Sequence, residues 1–275
     1  MRLLPALLAL VLSLPLAAQA QGGLGDLLIM PTRVILEGRD RSAEVVLRNT
    51  GSKPCTYRIF FQEMRMDNAG QVEVVEKKPG ALFASDLVRF TPRQVALAPN
   101  ESQTVRIQLR LPEGLKDGEY RSHMVFQSLP PVEPPAPLGE DADKALSFNI
   151  QTVLSISIPV IVRHGETSAS VGLSHLAYHP AAKKGEPPVL DLQLDHKGNR
   201  SVQGELKVDW LPVSGKAQTV LPEGGAVLYS EVEYVAEHLA LSEAKDTILR
   251  GGRLKVTFTY HDNSQQPVVA FLDVP

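Results

Sequence analysis

Hydrophobic and polar positions in this chain alternate every two residues far more often than every three or four. Thr104 to Arg110 is the clearest case. Val105, Ile107 and Leu109 point one way, and Arg106, Gln108 and Arg110 the other. That pattern describes a strand with one face buried and one in water. Ala43 to Leu47, Thr56 to Met64, Val72 to Val75 and Tyr120 to Leu129 read as further strands. Leu27 to Leu36 is also apolar, but Pro31 cannot donate to a ladder and marks an edge or a break. Turns are signalled by Asn49-Thr50-Gly51-Ser52 and Asp67-Asn68-Ala69-Gly70.

After Leu129 the texture changes. Pro130 to Pro137 opens a proline-rich, acidic loop that runs through Asp143, and an extended, mobile segment is expected there. The longest strand signal follows, from Leu146 to Arg163. Leu146, Phe148, Ile150, Thr152, Leu154, Ile156, Ile158, Val160 and Val162 share one face. Such a run exceeds the usual strand length of about 3 to 10 residues, so it is expected to extend beyond its own sandwich. Arg163 to Glu166 reads as a linker. Beyond it, strands are expected at Ala169 to Tyr178, Val189 to Asp195, Val202 to Trp210, Ala226 to Tyr234, Arg253 to Tyr260 and Val268 to Leu272. One short helix is expected near Leu239 to Leu249. The economical architecture is all-β, two sandwiches joined by a short hinge.

The first twenty residues carry the marks of a secretory signal peptide. Arg2 supplies the positive start, Leu3 to Leu16 the apolar stretch, and Ala18-Gln19-Ala20 a small-x-small cleavage site before Gln21. The apolar stretch is short of the about 20 residues that a spanning helix needs, so no stable membrane insertion is expected after cleavage. The remaining chain divides into an N-terminal sandwich over 21–163 and a C-terminal one over 164–275. Cys55 is the single cysteine, so no intrachain disulfide can form and each core must hold itself. It reads as a half-buried strand residue. A net charge of -3 gives no case for nucleic acid or for a membrane surface.

Enzyme signatures are missing. No Gly-rich phosphate loop and no G-x-S-x-G occurs, and one cysteine rules out a cysteine-based zinc site. His175 and His179 lie four apart in a strand-like stretch, too far apart to share a metal. Asp195-His196 reads as a solvated pair beside a turn, and His123 as a strand residue without an evident partner. No cofactor and no metal is expected.

Several segments together resemble the PapD-like chaperones of pilus and fimbrial assembly. Thr32-Arg33-Val34-Ile35-Leu36 is similar to their first strand, and Ala43 to Asn49 to their second. Phe90-Thr91-Pro92 resembles the "TP" before a strand, and Gln103-Thr104-Val105-Arg106-Ile107 their Q-x-x-R-I strand. Leu111-Pro112, Tyr120-Arg121-Ser122 and Pro130-Pro131 fall in the matching order. The resemblance implies two immunoglobulin-like β-sandwich domains, export to the periplasm and no enzymatic activity.

It also implies a mechanism. Such chaperones lend a strand to pilin-like subunits whose own sandwich is incomplete, and they hand those subunits to an outer-membrane usher. Strand addition of this kind combines main-chain adhesion with pockets for alternate side chains. The candidate donor residues here are Leu146, Phe148, Ile150, Leu154 and Ile156. Family members also bind the subunit's terminal carboxylate with two basic residues. Arg33 matches the first. Pro159 stands where the second, a lysine, falls, which leaves that role open, with Arg163 turned inward as one candidate. An exported tandem sandwich acting as an adhesin or structural module is the alternative reading.

Overall fold

The computed structural model describes residues 27–80, 83–129, 153–183, 185–244, 249–262 and 264–275. The first sandwich contains β1 (Leu27–Met30), β2 (Val34–Leu36), β3 (Ser42–Asn49), β4 (Cys55–Gln62), β5 (Met64–Met66) and β6 (Val72–Val74). It continues with β7 (Val88–Thr91), β8 (Gln94–Leu97), β9 (Ser102–Leu109), β10 (Gly118–Leu129) and β11 (Ser155–His164). The second holds β12 (Ala169–His179), β13 (Val189–Gly198), β14 (Val202–Leu211), β15 (Gln218–Leu228), β16 (Tyr234–Ala240), β17 (Arg253–Tyr260) and β18 (Val268–Asp273). The fold is all-β, with two immunoglobulin-like sandwiches in series.

In the first sandwich the sheets run β1-β3-β9-β7 and β2-β11-β10-β4-β8. The break at Pro31 is a change of sheet. β1 pairs antiparallel with β3, whereas β2 crosses over to lie parallel to β11. The alternation of Thr104 to Arg110 places Val105 and Ile107 fully inside, opposite Val45 and Ala43 of β3. Facing them across the layer are Leu36, Met124, Phe126, Ile158, Val160 and Val162. Cys55 is half-buried and packs against this core.

The second sandwich stacks β12-β13-β16 on β15-β14-β17-β18. Leu190, Leu192 and Leu194 from one sheet meet Val208, Val256 and Phe258 from the other. Two expectations fail here. Ala226 to Tyr234 is not one strand, because Tyr229, buried, and Val232 close a turn between β15 and β16. Leu239 and Ala240 are not helical either, since β16 pairs along its whole length with β13. The apolar positions Val235 and Leu239 serve a strand, and among the described residues a 3-10 turn, Ser242–Ala244, follows. Tertiary pairing overrides the local helical tendency.

Gly198 ends β13 where the linker enters. Its φ is 123°, and a Cβ there would lie 2.1 Å from the Ser168 carbonyl oxygen. Backbone, not a movable side chain, fills that space. Gly198→Ala is therefore expected to lower stability by at least about 1–3 kcal/mol, the usual cost of a strained conformation. Urea unfolding checks this, and an unchanged midpoint contradicts it.

Candidate functional site

The register of three strands builds one polar face. β10 and β11 place Glu119 opposite Arg163, Arg121 opposite Ile161, and His123 opposite Pro159. β2 sets Ile35 beside Ile161, so Arg33, two residues earlier, emerges on the same side. That face looks away from the core of the first sandwich. The second sandwich covers it with the Tyr229–Glu233 turn and the start of β14.

Glu119 sits at the junction, its side chain fully buried. Its Oε2 accepts Arg163 Nε at 3.0 Å, Ser201 N at 3.0 Å and Ser201 Oγ at 2.9 Å. Arg163 also donates to Glu37 Oε2 at 3.0 Å and to the Ser201 carbonyl at 3.3 Å. Both residues are thus committed to holding the domains together.

A second knot lies alongside. Arg121 is buried, donates to the Met64 carbonyl at 3.2 Å, and pairs with Glu231 of the second sandwich. Its guanidinium lies 3.5 Å from the centre of the Tyr229 ring. Glu231 also accepts from Met66 N at 2.8 Å and faces Arg65 at 3.7 Å. His123 is only 4% exposed and meets the Tyr229 ring edge-on. Its Nε2 lies 3.5 Å from Arg121 Nη1, and its Nδ1 has no partner among the described residues. Burial, with help from Arg121 and Arg33, pushes the imidazole down to about 4, so it is neutral at ordinary pH.

Arg33 differs from its neighbours. Its guanidinium stands 5.6 Å from the Tyr229 ring centre and makes no hydrogen bond or ion pair among the described residues. Burial lowers its pKa from the ordinary value, Tyr229 and Glu119 oppose that shift, and Arg163 and Arg121 add to it. It opens onto a cleft of about 410 Å³ between the domains, lined also by Arg163, Arg200, Tyr260 and Asp262. A half-buried cation with no counter-ion is a ready receptor for a carboxylate.

Among the described residues, the sheet edge beside the cleft is open. β2 covers β11 only at Val160, Ile161 and Val162. Ser128 N donates to the Leu154 carbonyl at 2.8 Å, so even-numbered residues of β11 turn their main chain toward β10. Ser155, Ser157 and Pro159 then turn theirs outward, where no described strand pairs with them.

The residues from β1 to the end of β11 match one known family. A model for the N-terminal domain of pili and flagellar-assembly chaperones, PapD, covers residues 26–163, half of the chain. The chain belongs to the PapD-like chaperone family. Similar solved structures include the CupB2 chaperone of Pseudomonas aeruginosa, at 11% identity and a TM-score of 0.45, over 90% of this chain and 100% of that one. The E. coli chaperone DraB shows 15% identity and a TM-score of 0.41, over 90% and 98%. The chaperone in a complex of CsuC with CsuE from Acinetobacter baumannii shows 14% and 0.44, over 90% and 97%. No curated protein matches the sequence.

The chaperone places its expected site residues unevenly. Leu146, Phe148 and Ile150 lie outside the described residues, as does the signal segment. Leu154 is half-buried, and its N donates to Ser128 Oγ at 2.9 Å. Ile156 packs partly against the first core, and Ile158, Val160 and Val162 are sealed within it. Arg33 faces the cleft. Arg163 does turn inward, but Glu37 and Glu119 occupy it. Arg121 lies in the Tyr120-Arg121-Ser122 stretch that carries the resemblance, but no local pattern shows that it meets Tyr229 and Glu231. His196 is a correction: it is buried, its ring nitrogens 3.1 Å from the Val232 carbonyl and 2.9 Å from that of Arg200. His179 faces Asp191 at 2.8 Å, with His238 on that carboxylate's other oxygen at 2.6 Å.

Two outcomes follow from this geometry. Glu119→Ala leaves buried Arg163 with Glu37 as its remaining carboxylate and strips Ser201 N and Oγ of their acceptor, and it is expected to destabilise the chaperone by about 1–3 kcal/mol. Chemical denaturation measures that loss. His123 gives a pH signature. The unfolded chain takes up its proton near 6.5, the fold only near 4, so the unfolded state binds more protons in between. Stability is full above about pH 6.5 and falls by on the order of 3 kcal/mol as pH drops toward 4. Urea melts across that range should show the decline, and His123→Phe should flatten it.

Proposed function

We propose that this is a periplasmic chaperone that binds pilus or fimbrial subunits and stabilises them by donating a β-strand. The observation that carries the reading is the open edge of β11 together with its graded apolar row. Val160 and Ile158 are inside, Ile156 is half-buried against the core, and Leu154 is half-buried beyond it. Burial loosens toward the N-terminal end of the strand, where the sequence continues the same parity through Ile150, Phe148 and Leu146. A subunit that lacks one strand of its sandwich needs both things the edge supplies. Outward main-chain groups provide hydrogen bonds, and alternate large apolar side chains fill the vacant row. Each side chain so buried contributes roughly 1.5–3 kcal/mol.

Arg33 completes the site. Its unpaired guanidinium lies in the cleft and suits the terminal carboxylate of the bound subunit. The N-terminal segment would direct the chain to the periplasm, and an outer-membrane usher would receive the loaded complex. The family to which the chain belongs supports this assignment.

Ile150→Asp combined with Leu154→Asp tests the donor row. A charged group in a vacated apolar pocket is costly. Co-expression with a pilin-like subunit encoded nearby should give at least about tenfold less soluble subunit in the periplasm than wild type. The variant chaperone itself should melt normally. Undiminished subunit recovery contradicts strand donation by these residues.

A further inference from the structure

The β5–β6 hairpin lies within the first sandwich by sequence, yet it joins neither of that sandwich's sheets. β5 and β6 pair with each other, Met64 opposite Val74, Arg65 opposite Glu73 and Met66 opposite Val72. So short a ribbon is marginal by itself and needs a surface to dock on. Its root is fixed. Val75 N donates to the Glu63 carbonyl at 2.9 Å, and the Glu63 carboxylate accepts Ser122 Oγ at 2.6 Å. Its tip is shaped by Asp67, whose Oδ1 accepts Ala69 N and Gln71 N, each at 2.9 Å.

The surface it meets is the second sandwich. β16 is an edge strand of the sheet β12-β13-β16, and an edge leaves a row of main-chain groups unpaired. Ala236 N points out of that edge and donates to the Asn68 carbonyl at 2.8 Å. Gly70 lies flush on the buried Val235, where a Cβ would stand 3.2 Å from Val235 Cγ1. Glu231 of the second sandwich accepts Met66 N at 2.8 Å. The Met66 side chain goes furthest. It packs against the core of the second sandwich, and among the described residues it is the one apolar side chain of the first sandwich to do so.

We propose that the β5–β6 hairpin is a bolt thrown from the first sandwich into the second, which completes the second core and makes the two domains unfold as one body. Met66 covers one side of that core, and Asn68 pairs part of its open sheet edge. Neither contact involves Arg33 or β11, so the bolt is independent of how the chaperone holds a subunit.

The mature chaperone carries a probe in each domain. Trp210, its single tryptophan, packs against the second core, and Cys55, its single cysteine, against the first. Urea unfolding followed by Trp210 fluorescence and by pulse labelling of the Cys55 thiol should give one coincident transition in wild type. Met66→Ala removes the inserted side chain. It should lower the Trp210 midpoint by roughly 0.5–1 M urea and leave the Cys55 midpoint above it, so that one transition becomes two. Ala236→Pro removes the N–H that faces the hairpin, a change that an edge strand tolerates, and adding it should widen the gap. Met64→Ala, in the same hairpin but outside the second core, should leave the transitions coincident. An unmoved Trp210 midpoint in Met66→Ala, or a Cys55 midpoint that falls as far, overturns the proposal. So does a Met64→Ala variant that splits the transitions equally, or a wild type in which they are already apart.

Discussion

A buried carboxylate at the domain junction is the constraint that the inter-domain geometry turns on first. Glu119 reaches from the first sandwich and receives a guanidinium from its own sheet and two donors from Ser201 in the second. A charge so deeply placed is tolerable only while its partners hold position. It therefore fixes where Ser201 stands, and with it the neighbouring Arg200. The second knot, Arg121 with Glu231 under Tyr229, fixes the other flank in the same manner.

Between the two knots the cation Arg33 is left unclaimed. The neighbouring Arg163 and Arg121 each form an ion pair, with Glu119 and Glu231 respectively. The contrast separates structural charge from receptive charge. Arg163 and Arg121 are paired at the domain junction, whereas Arg33 lines the cleft with no ion pair among the described residues. The neutral His123 behind them fits the same logic, because a third buried positive charge beside Arg121 and Arg33 would be strongly disfavoured.

How much of this the sequence disclosed depends on the range of the interaction. Alternation in Thr104 to Arg110 and in Leu146 to Arg163 is local, and it located β9 and the described part of β11 directly. The break at Pro31 was legible as a break, but the switch of sheets was not, since only β11 shows where β2 goes. Ala226 to Tyr234 looked continuous because composition alone does not reveal that Tyr229 and Val232 are buried in a turn. Leu239 to Leu249 looked helical because nothing local announces pairing with β13. The cleft suffered most. Arg33 was readable by resemblance, whereas Arg121, Tyr229 and Glu231 are brought together from positions over a hundred residues apart. His196 seemed a surface residue until two distant carbonyls enclosed it.

The proline on the outer side of β11 has a consequence of its own. A visiting strand that zips along Ser155 and Ser157 finds an acceptor but no donor when it arrives at Pro159. Past that point β2 already fills the slot at Val160. If a guest strand pairs with this edge as proposed, Pro159 and β2 would confine it to the front half and keep it from displacing β2.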